Sequence, residues 1–139
     1  MIVLDTNVLS ELLRQKPDAT VQHWFASLLI NECMMTVVTA AELRYGAERL
    51  PPGRRQEQLK RAIDGIIEED FSGRVLPYTV AATVLLADLT LVRERLGRPI
   101  SLADAQIAAI CRLHGAALAT RNTRDFENCG IELINPWSG

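Results

Sequence analysis

Three acidic residues stand where a predicted strand ends or a predicted helix begins, which are places where side chains can converge. Asp5 directly follows the apolar run 2–4, and Glu42 and Asp104 lie near the starts of two later helices. Carboxylates that are brought together repel one another and resist ionisation unless a cation lies among them. Carboxylate oxygens suit Mg²⁺ or Mn²⁺, and such an ion can activate water against a phosphodiester. Metal-dependent phosphodiester hydrolysis is therefore one interpretation of these acids.

Each of these acids also has an ordinary structural explanation. Glu42 and Asp104 both come three residues after a Thr or a Ser, a spacing typical of capping-box carboxylates at helix N-termini. Asp5 fits a turn or an N-cap position, and Asp125 fits a solvated loop. The spacing alone leaves both interpretations open.

The elements that must position these acids alternate between strands and helices. Apolar runs predict strands at 2–4, 34–38, 74–77, 116–120 and 131–134. Helical periodicity and capping signals predict helices that begin near residues 8, 21, 39, 54, 79 and 101. Strands separated by helices predict an α/β fold, here a three-layer α/β/α sandwich with a mostly parallel sheet. Ligands bind such sheets at the carboxyl ends of the strands, where Asn122 and Asp125 would join the acids.

Length, charge and cysteine content narrow the class of protein. A chain of 139 residues predicts a single domain over residues 1–139. Its 15 basic and 17 acidic residues give a net charge of -2, so any site for a polyanion must be local. The three cysteines show no ligand spacing, which favours a reducing cytoplasm over a disulfide framework or a zinc site. We expect neither secretion nor a membrane span.

Two sets of basic residues are candidates for local phosphate contacts. Residues 44–61 contain six basic residues and two acids, a surplus of four positive charges that begins close to Glu42. A solvated helix face with i to i+4 ion pairs explains this stretch equally well. The second set comprises Arg93, Arg95, Arg98, Arg121 and Arg124.

The helix predicted after Pro17 has a strongly apolar face. The face comprises Trp24, Phe25, Leu28 and Leu29. Packing into the protein core is the favoured explanation, and a groove for a partner protein is the alternative.

Four segments, in this order, resemble the motif blocks of the PIN domain. They are residues 2–10 (IVLDTNVLS), 39–46 (TAAELRYG), 101–109 (SLADAQIAA) and 118–126 (LATRNTRDF). Their order and spacing match the family across essentially the whole chain. Within the superfamily the chain is most similar to the VapC toxins, and its tail 135–137 (NPW) resembles the FitB subgroup. The resemblance implies the toxin of a type II toxin–antitoxin system, acting as a metal-dependent endoribonuclease.

The resemblance also assigns roles to individual acids. Asp5, Glu42 and Asp104 match the catalytic acids that bind Mg²⁺ or Mn²⁺ and position a water for attack on an RNA phosphodiester. Family precedent for the products is a 5′-phosphate and a 3′-hydroxyl. A fourth acid, found in some members, aligns with Asn122, which carries no charge. Asp125 is the nearest substitute, and we expect it to be peripheral.

Supporting roles follow from the same alignment. Thr6 and Asn7 are expected to orient Asp5 through hydrogen bonds, and Thr120 matches a hydroxyl that contacts bound water or ligands. The candidate RNA contacts are Arg44, Arg121 and Arg124.

The resemblance further implies partners besides the RNA substrate. These are a second copy of the chain in a homodimer and a cognate VapB- or FitA-like antitoxin that occupies a groove formed by the early helices. The toxin–antitoxin complex would assemble on operator DNA. We expect the antitoxin to make the DNA contacts, since this chain has no overall basic surplus.

Other metal-dependent phosphoesterases share parts of this pattern. A haloacid-dehalogenase-type phosphatase needs a second acid two residues after the first, where this chain has Asn7. A flap-type DNA nuclease shares the acid cluster but usually carries more acids and further DNA-binding elements. An inactive binding module, whose acids serve only as caps, is the non-enzymatic alternative, and metal-dependent RNA cleavage would distinguish it from the enzymes.

Overall fold

Five parallel strands form one sheet in the computed structural model, which describes residues 1–138. The strands are β1 (Ile2–Leu4), β2 (Cys33–Thr36), β3 (Val75–Leu76), β4 (Ala117–Ala119) and β5 (Leu133–Ile134). The helices are α1 (Thr6–Leu12), α2 (Ala19–Ala26), α3 (Val37–Glu48), α4 (Arg54–Gly65), α5 (Val80–Arg95) and α6 (Leu102–His114). The predicted α/β class and its parallel sheet are confirmed.

The strand order β3-β2-β1-β4-β5 places β1 at the centre of the sheet. Ile2 is paired with Cys33 of β2 on one side and with Ala117 of β4 on the other. The chain therefore leaves β1 towards one edge and later returns to the opposite side of β1. Such a switch point at the carboxyl ends of parallel strands is where open α/β sheets form their ligand sites.

Alternate residues of the short strands enter two separate hydrophobic cores. Val3 and Leu118 contribute to a core with α5 and α6, whereas Leu4 and Ala119 contribute to a core with α1 to α4. This period of two is expected for strands that are covered on both faces. The three-layer sandwich predicted from the sequence follows from these two cores.

The boundary between β2 and α3 differs from the prediction. Val37 and Val38 were expected to end the strand, but they form the first turn of the helix. The reason is Thr36, whose Oγ1 accepts the Thr39 N–H at 3.1 Å and caps the helix three residues earlier than predicted. The β-branched pair of valines mimicked a strand because hydrophobic runs of this length fit either element.

The start of α6 agrees with the prediction. Ser101 caps the helix, and its Oγ accepts the Asp104 N–H at 3.2 Å. Gly115, with a φ of 63°, ends the helix in the left-handed conformation that glycine adopts readily. Within residues 1–138, no helix combines the length and the apolar character needed to cross a membrane.

Candidate active site

A cleft of about 530 Å³ opens beside the carboxyl ends of β1 and β4, and it contains all three predicted acids. Asp5 caps α1, Glu42 lies in α3, and Asp104 lies in the first turn of α6. The predicted supporting residues Thr6, Asn7 and Asn122 also line the cleft. The fold thus brings together residues that are more than a hundred positions apart in the sequence.

Asp5 is held in a fixed orientation by three donors. The Thr6 N–H donates to Oδ1 at 2.8 Å, the Thr120 hydroxyl donates to Oδ2 at 2.8 Å, and the Asn7 amide donates to Oδ2 at 3.3 Å. The residue is only 6% exposed. Burial raises the pKa of the Asp5 carboxyl, the Glu42 charge also raises it, and the three hydrogen bonds oppose the increase.

The Glu42 carboxylate accepts a hydrogen bond from the Thr6 hydroxyl. The Thr6 Oγ1 donates to Glu42 Oε1 at 2.7 Å and lies 3.2 Å from the Thr39 hydroxyl. The capping-box explanation of Glu42 is wrong, because α3 begins at Val37 and Glu42 therefore lies beyond its first turn. Thr6 orients Asp5 as expected, through its backbone N–H, and its side chain additionally orients Glu42.

Asp104 combines a structural and an electrostatic role. Its backbone N–H completes the cap with Ser101, so its location at a helix N-terminus is confirmed. Burial raises the pKa of its carboxyl to about 6, and the negative charges of Asp5, Asp125 and Glu42 add to the increase. The neighbouring carboxylates increase the cost of ionising the half-buried Asp104, so the pKa of Asp104 depends on the other acids around it.

The loop after β4 is connected to the start of α1 by side-chain hydrogen bonds. Asn7 accepts the Arg121 N–H at 3.1 Å, and the Thr120 hydroxyl accepts the Asn122 N–H at 3.1 Å. Thr120 is fully buried and donates to Asp5. The loop that carries Arg121 and Asn122 is therefore positioned relative to Asp5 by both Thr120 and Asn7.

Asp125 lies outside the cleft lining, in the short 3-10 turn Thr123–Phe126. Its side chain is exposed, although its charge still contributes to the raised pKa of Asp104. These observations agree with the peripheral position expected for Asp125.

The predicted basic residues have different surroundings. Arg121 lines the cleft. Arg44 forms an ion pair with Asp64 and lies 3.8 Å from Glu68, outside the cleft lining, and Arg124 is an exposed residue that is also outside it. The structure therefore places one of the three candidate RNA contacts beside the acids.

The prediction that Arg93 is a candidate phosphate contact is wrong. The residue is 4% exposed. Its guanidinium donates to the backbone carbonyls of Arg98, Asp125 and Glu127 at 2.8, 2.7 and 3.1 Å. Arg93 thus supports the loop that follows β4 and is not available to RNA.

Sequence reasoning assigned no role to four residues that line the cleft, which are Ser10, Glu11, Arg14 and Trp137. Glu11 is buried and accepts Arg14 at 3.2 Å and the Asp18 N–H at 2.9 Å. Trp137 also lines the cleft, although the sequence pattern of the tail 135–137 indicated only a resemblance. The sequence position of Glu11 between Leu9 and Leu12, on the apolar side of a short helix, could have indicated that Glu11 is buried.

A larger groove of about 1070 Å³ adjoins the cleft between α1, α3 and α4. The two cavities share Thr6, Ser10, Arg14 and Glu42. Apolar residues such as Leu43, Leu59 and Ile63 line the groove, together with the basic residues Arg14, Lys16 and Arg55. Trp24 and Phe25 do not line it but pack against the core, as expected.

The donor chemistry of the cleft fits a hard divalent cation. Its acids offer only oxygen ligands, and a cation would relieve the neighbouring negative charges that add to the effect of burial on the pKa of Asp104. Among residues 1–138, however, no group of three or more His, Cys, Asp or Glu side chains is arranged to hold a metal ion.

Residues 2–131 match the family model for the PIN domain, a match that covers most of the chain. The chain belongs to the PIN-domain family. Nucleases of the VapC type within this family generally depend on a divalent metal ion. The predicted resemblance to the PIN domain is therefore confirmed.

Relatives that match nearly the whole chain confirm the predicted resemblance to VapC and FitB proteins. The chain is 40% identical over 137 residues to the VapC ribonuclease Y4jK of Sinorhizobium fredii, covering 99% of this chain and 98% of the relative. It is 35% identical to the toxin FitB of Neisseria gonorrhoeae, covering 99% of both chains. The solved structure of FitAB bound to an IR36 DNA fragment has a TM-score of 0.93 at 34% identity, covering 99% of this chain and 96% of that chain.

Proposed function

We propose that this PIN-domain chain is the toxin of a type II toxin–antitoxin pair and that it hydrolyses RNA phosphodiester bonds in the acid cleft. The observation that carries the proposal is Asp5, a buried carboxylate at the end of the central strand. It is fixed by three donors and shares one cleft with Glu42 and Asp104. The naming of the relatives as a ribonuclease and a toxin supports the same conclusion.

Asp5, Glu42 and Asp104 are the residues that would hold Mg²⁺, or Mn²⁺ in its place. Such an ion supplies a Lewis acid that activates water and neutralises charge on a phosphate. The chain itself contributes orientation: Thr120 and Asn7 fix Asp5, and Thr6 fixes Glu42. Asn122 adds an uncharged carbonyl to the same cleft, so it can accept a hydrogen bond without increasing the repulsion among the acids.

The test is cleavage of total cellular RNA by the purified chain with Mg²⁺, with Mn²⁺ and with EDTA, followed by mapping of the new 5′ ends. We expect discrete metal-dependent cuts that disappear in Asp5→Asn. Asp64→Asn is the matched control, because this exposed carboxylate pairs with Arg44 away from the cleft. If folded protein free of antitoxin cuts no RNA with either metal, the inactive binding module becomes the better conclusion.

An antitoxin that resembles VapB or FitA is the proposed partner of the groove between α1, α3 and α4. The groove has an apolar lining, a basic rim and direct continuity with Glu42, which suits the amphipathic tail of a partner protein. We expect operator DNA to be bound only by the complex. Tight operator binding by this chain alone, measured by fluorescence anisotropy, would contradict that assignment.

A homodimer is proposed on the exposed apolar face of α5. Val80 and Val84 are 86% and 71% exposed, and Leu91 continues the same face. We expect a dimer in light scattering and a monomer after Val84→Glu. A wild-type monomer at micromolar concentration would remove this part of the proposal.

We also propose that residues 1–139 act as a single domain in the cytoplasm. The three cysteines, Cys33, Cys111 and Cys129, are free and buried, a state that suits a reducing compartment.

A further inference from the structure

An aromatic–cationic pair forms one side of the acid cleft. The Arg121 guanidinium lies over the Trp137 ring, 5.0 Å from its centroid. Both residues line the cleft with Asp5, Glu42 and Asp104. Trp137 is the only aromatic residue in that lining.

Both members of the pair are anchored by their backbones. The Trp137 N–H donates to Asn135 Oδ1 at 3.0 Å, next to the buried Pro136. The Arg121 N–H donates to the Asn7 side chain, whose amide in turn donates to Asp5. One side chain, Asn7, thus connects the pair to the central acid, so the pair has a defined position relative to it.

The Arg121 side chain contacts an aromatic ring and forms no ion pair among residues 1–138. Four acids line the cleft, yet among residues 1–138 Arg121 takes part in no ion pair and lies instead over the indole. A guanidinium held in this way keeps its charge and exposes a flat polar surface. Flat guanidinium and indole surfaces are the groups on which unpaired nucleobases stack in protein–RNA complexes.

We propose that the Trp137–Arg121 pair is a stacking subsite for one unpaired nucleobase of the RNA, next to the phosphate that is cut. This inference rests on the proposed function and specifies its substrate. A base that stacks here must leave its own duplex, so cleavage takes place in single-stranded segments or loops. Arg121 contacts the base directly, and Trp137 both contributes ring surface and positions Arg121.

Fluorescence of Trp137 tests the contact without requiring catalysis. The chain has two tryptophans, and Trp24→Phe leaves Trp137 as the only one, because Trp24 packs against the core outside the cleft. In EDTA, we expect titration with a short single-stranded RNA to change the Trp137 emission. An RNA of the same length with abasic sites should produce a much smaller change. Equal responses to the two RNAs would show that only phosphates are contacted and would overturn the subsite.

Controls separate RNA from other ligands. Single-stranded DNA of the same sequence and a fully paired RNA hairpin stem test the sugar and the need for an unpaired base. A weak response to the stem is expected. Emission that changes with a purified antitoxin but not with RNA would assign the pair to the protein partner and overturn the nucleobase assignment.

Kinetics provide the second readout. We expect Trp137→Leu to raise KM by roughly 10-fold, the size of one lost stacking contact, with little change in kcat. Trp137→Phe should retain most of the affinity because it keeps an aromatic ring. Wild-type cleavage with an unchanged KM in Trp137→Leu would refute the subsite and leave the ribonuclease intact. A base-dependent fluorescence change without any cleavage would refute the ribonuclease and leave the subsite intact.

Discussion

Two of the buried charged side chains, Asp5 and Arg93, have opposite surroundings. Asp5 is 6% exposed and lies among other acids, so its negative charge is incompletely compensated. Arg93 is 4% exposed, and three backbone carbonyls accept its guanidinium protons. A buried charge stabilises a fold only when its hydrogen-bonding capacity is satisfied, and otherwise it is costly.

The difference teaches how to distinguish structural from functional charges in this fold. Arg93 bonds to backbone atoms, which do not change their charge, and it ties α5 to the loop after β4. Asp5 and Asp104 retain a mutual repulsion that the fold tolerates. Groups held in an unfavourable electrostatic state are characteristic of catalytic sites.

The largest expected effect separates activity from stability at Asp5. We expect Asp5→Asn to lower RNA cleavage by at least about 100-fold, as removal of a central charged group in a hydrolytic site does. In metal-free buffer its Tm should be equal to or above that of the wild type, because the uncompensated charge is gone while an amide can keep part of the hydrogen bonding. Cleavage assays measure the activity of Asp5→Asn, and thermal unfolding in EDTA measures its Tm. A strong fall in Tm would show that Asp5 is a structural residue like Arg93.

The opposite result is expected at Arg93. Arg93→Met removes the donor from three partly buried carbonyls and should lower the free energy of unfolding by about 3 kcal/mol. Cleavage at low temperature should fall much less than stability does. Urea unfolding checks this, with the exposed Arg95→Met as the matched control. An unchanged midpoint in Arg93→Met would show that the carbonyls do not depend on this residue.

A smaller effect is expected at Asp104, and it depends on pH. The folded-state pKa of about 6 lies above the ordinary value of 3.8, so the folded protein binds more protons between these two values. The contribution of Asp104 to the free energy of unfolding is therefore fully present below about pH 4 and is lost as the pH rises towards about 6.

Asp104→Asn should consequently be more stable than the wild type at pH 7 in EDTA. The gain should be at most about 1 kcal/mol, since solvent reaches the half-buried carboxyl and screens its charge. Near pH 4 the two proteins should be equally stable. Unfolding curves at pH 4 and pH 7 provide the comparison, and a difference that does not change with pH would rule out the electrostatic explanation.

The smallest effect is expected at Asp125. Because its side chain is exposed and lies outside the cleft lining, Asp125→Asn should change the cleavage rate by less than about 3-fold. A loss as severe as that of Asp5→Asn would make Asp125 a member of the acid group. The same cleavage assay decides between these results.

Much of this contrast could be predicted from local sequence. A short apolar run predicts β1 and the position of Asp5 at its end. A capping pattern predicts the Ser101 cap and the position of Asp104 in the first turn of α6. Both patterns extend over only a few residues. The β2–α3 boundary was displaced because Val37 and Val38 fit a strand as well as a helix. That displacement made Glu42 resemble a capping residue when its true partner was Thr6, which lies 36 positions away.

The surroundings of Arg93 and Arg121 could not be predicted in this way. Arg93 donates hydrogen bonds to backbone carbonyls 32 and 34 positions away. Arg121 lies over the indole of Trp137 in the C-terminal tail. No local pattern distinguishes a buried arginine from one in a cleft when tertiary contacts decide the outcome.

The hydrogen bond between Thr120 and Asp5 has a consequence for synthesis in the cell. The two residues are 115 positions apart, so a ribosome completes most of the chain between them. β4 must be translated before β1 gains its second neighbour and before Asp5 gains the Thr120 hydroxyl. Nascent fragments therefore lack an assembled cleft, and any cleavage of RNA by this chain begins only when its translation is nearly finished.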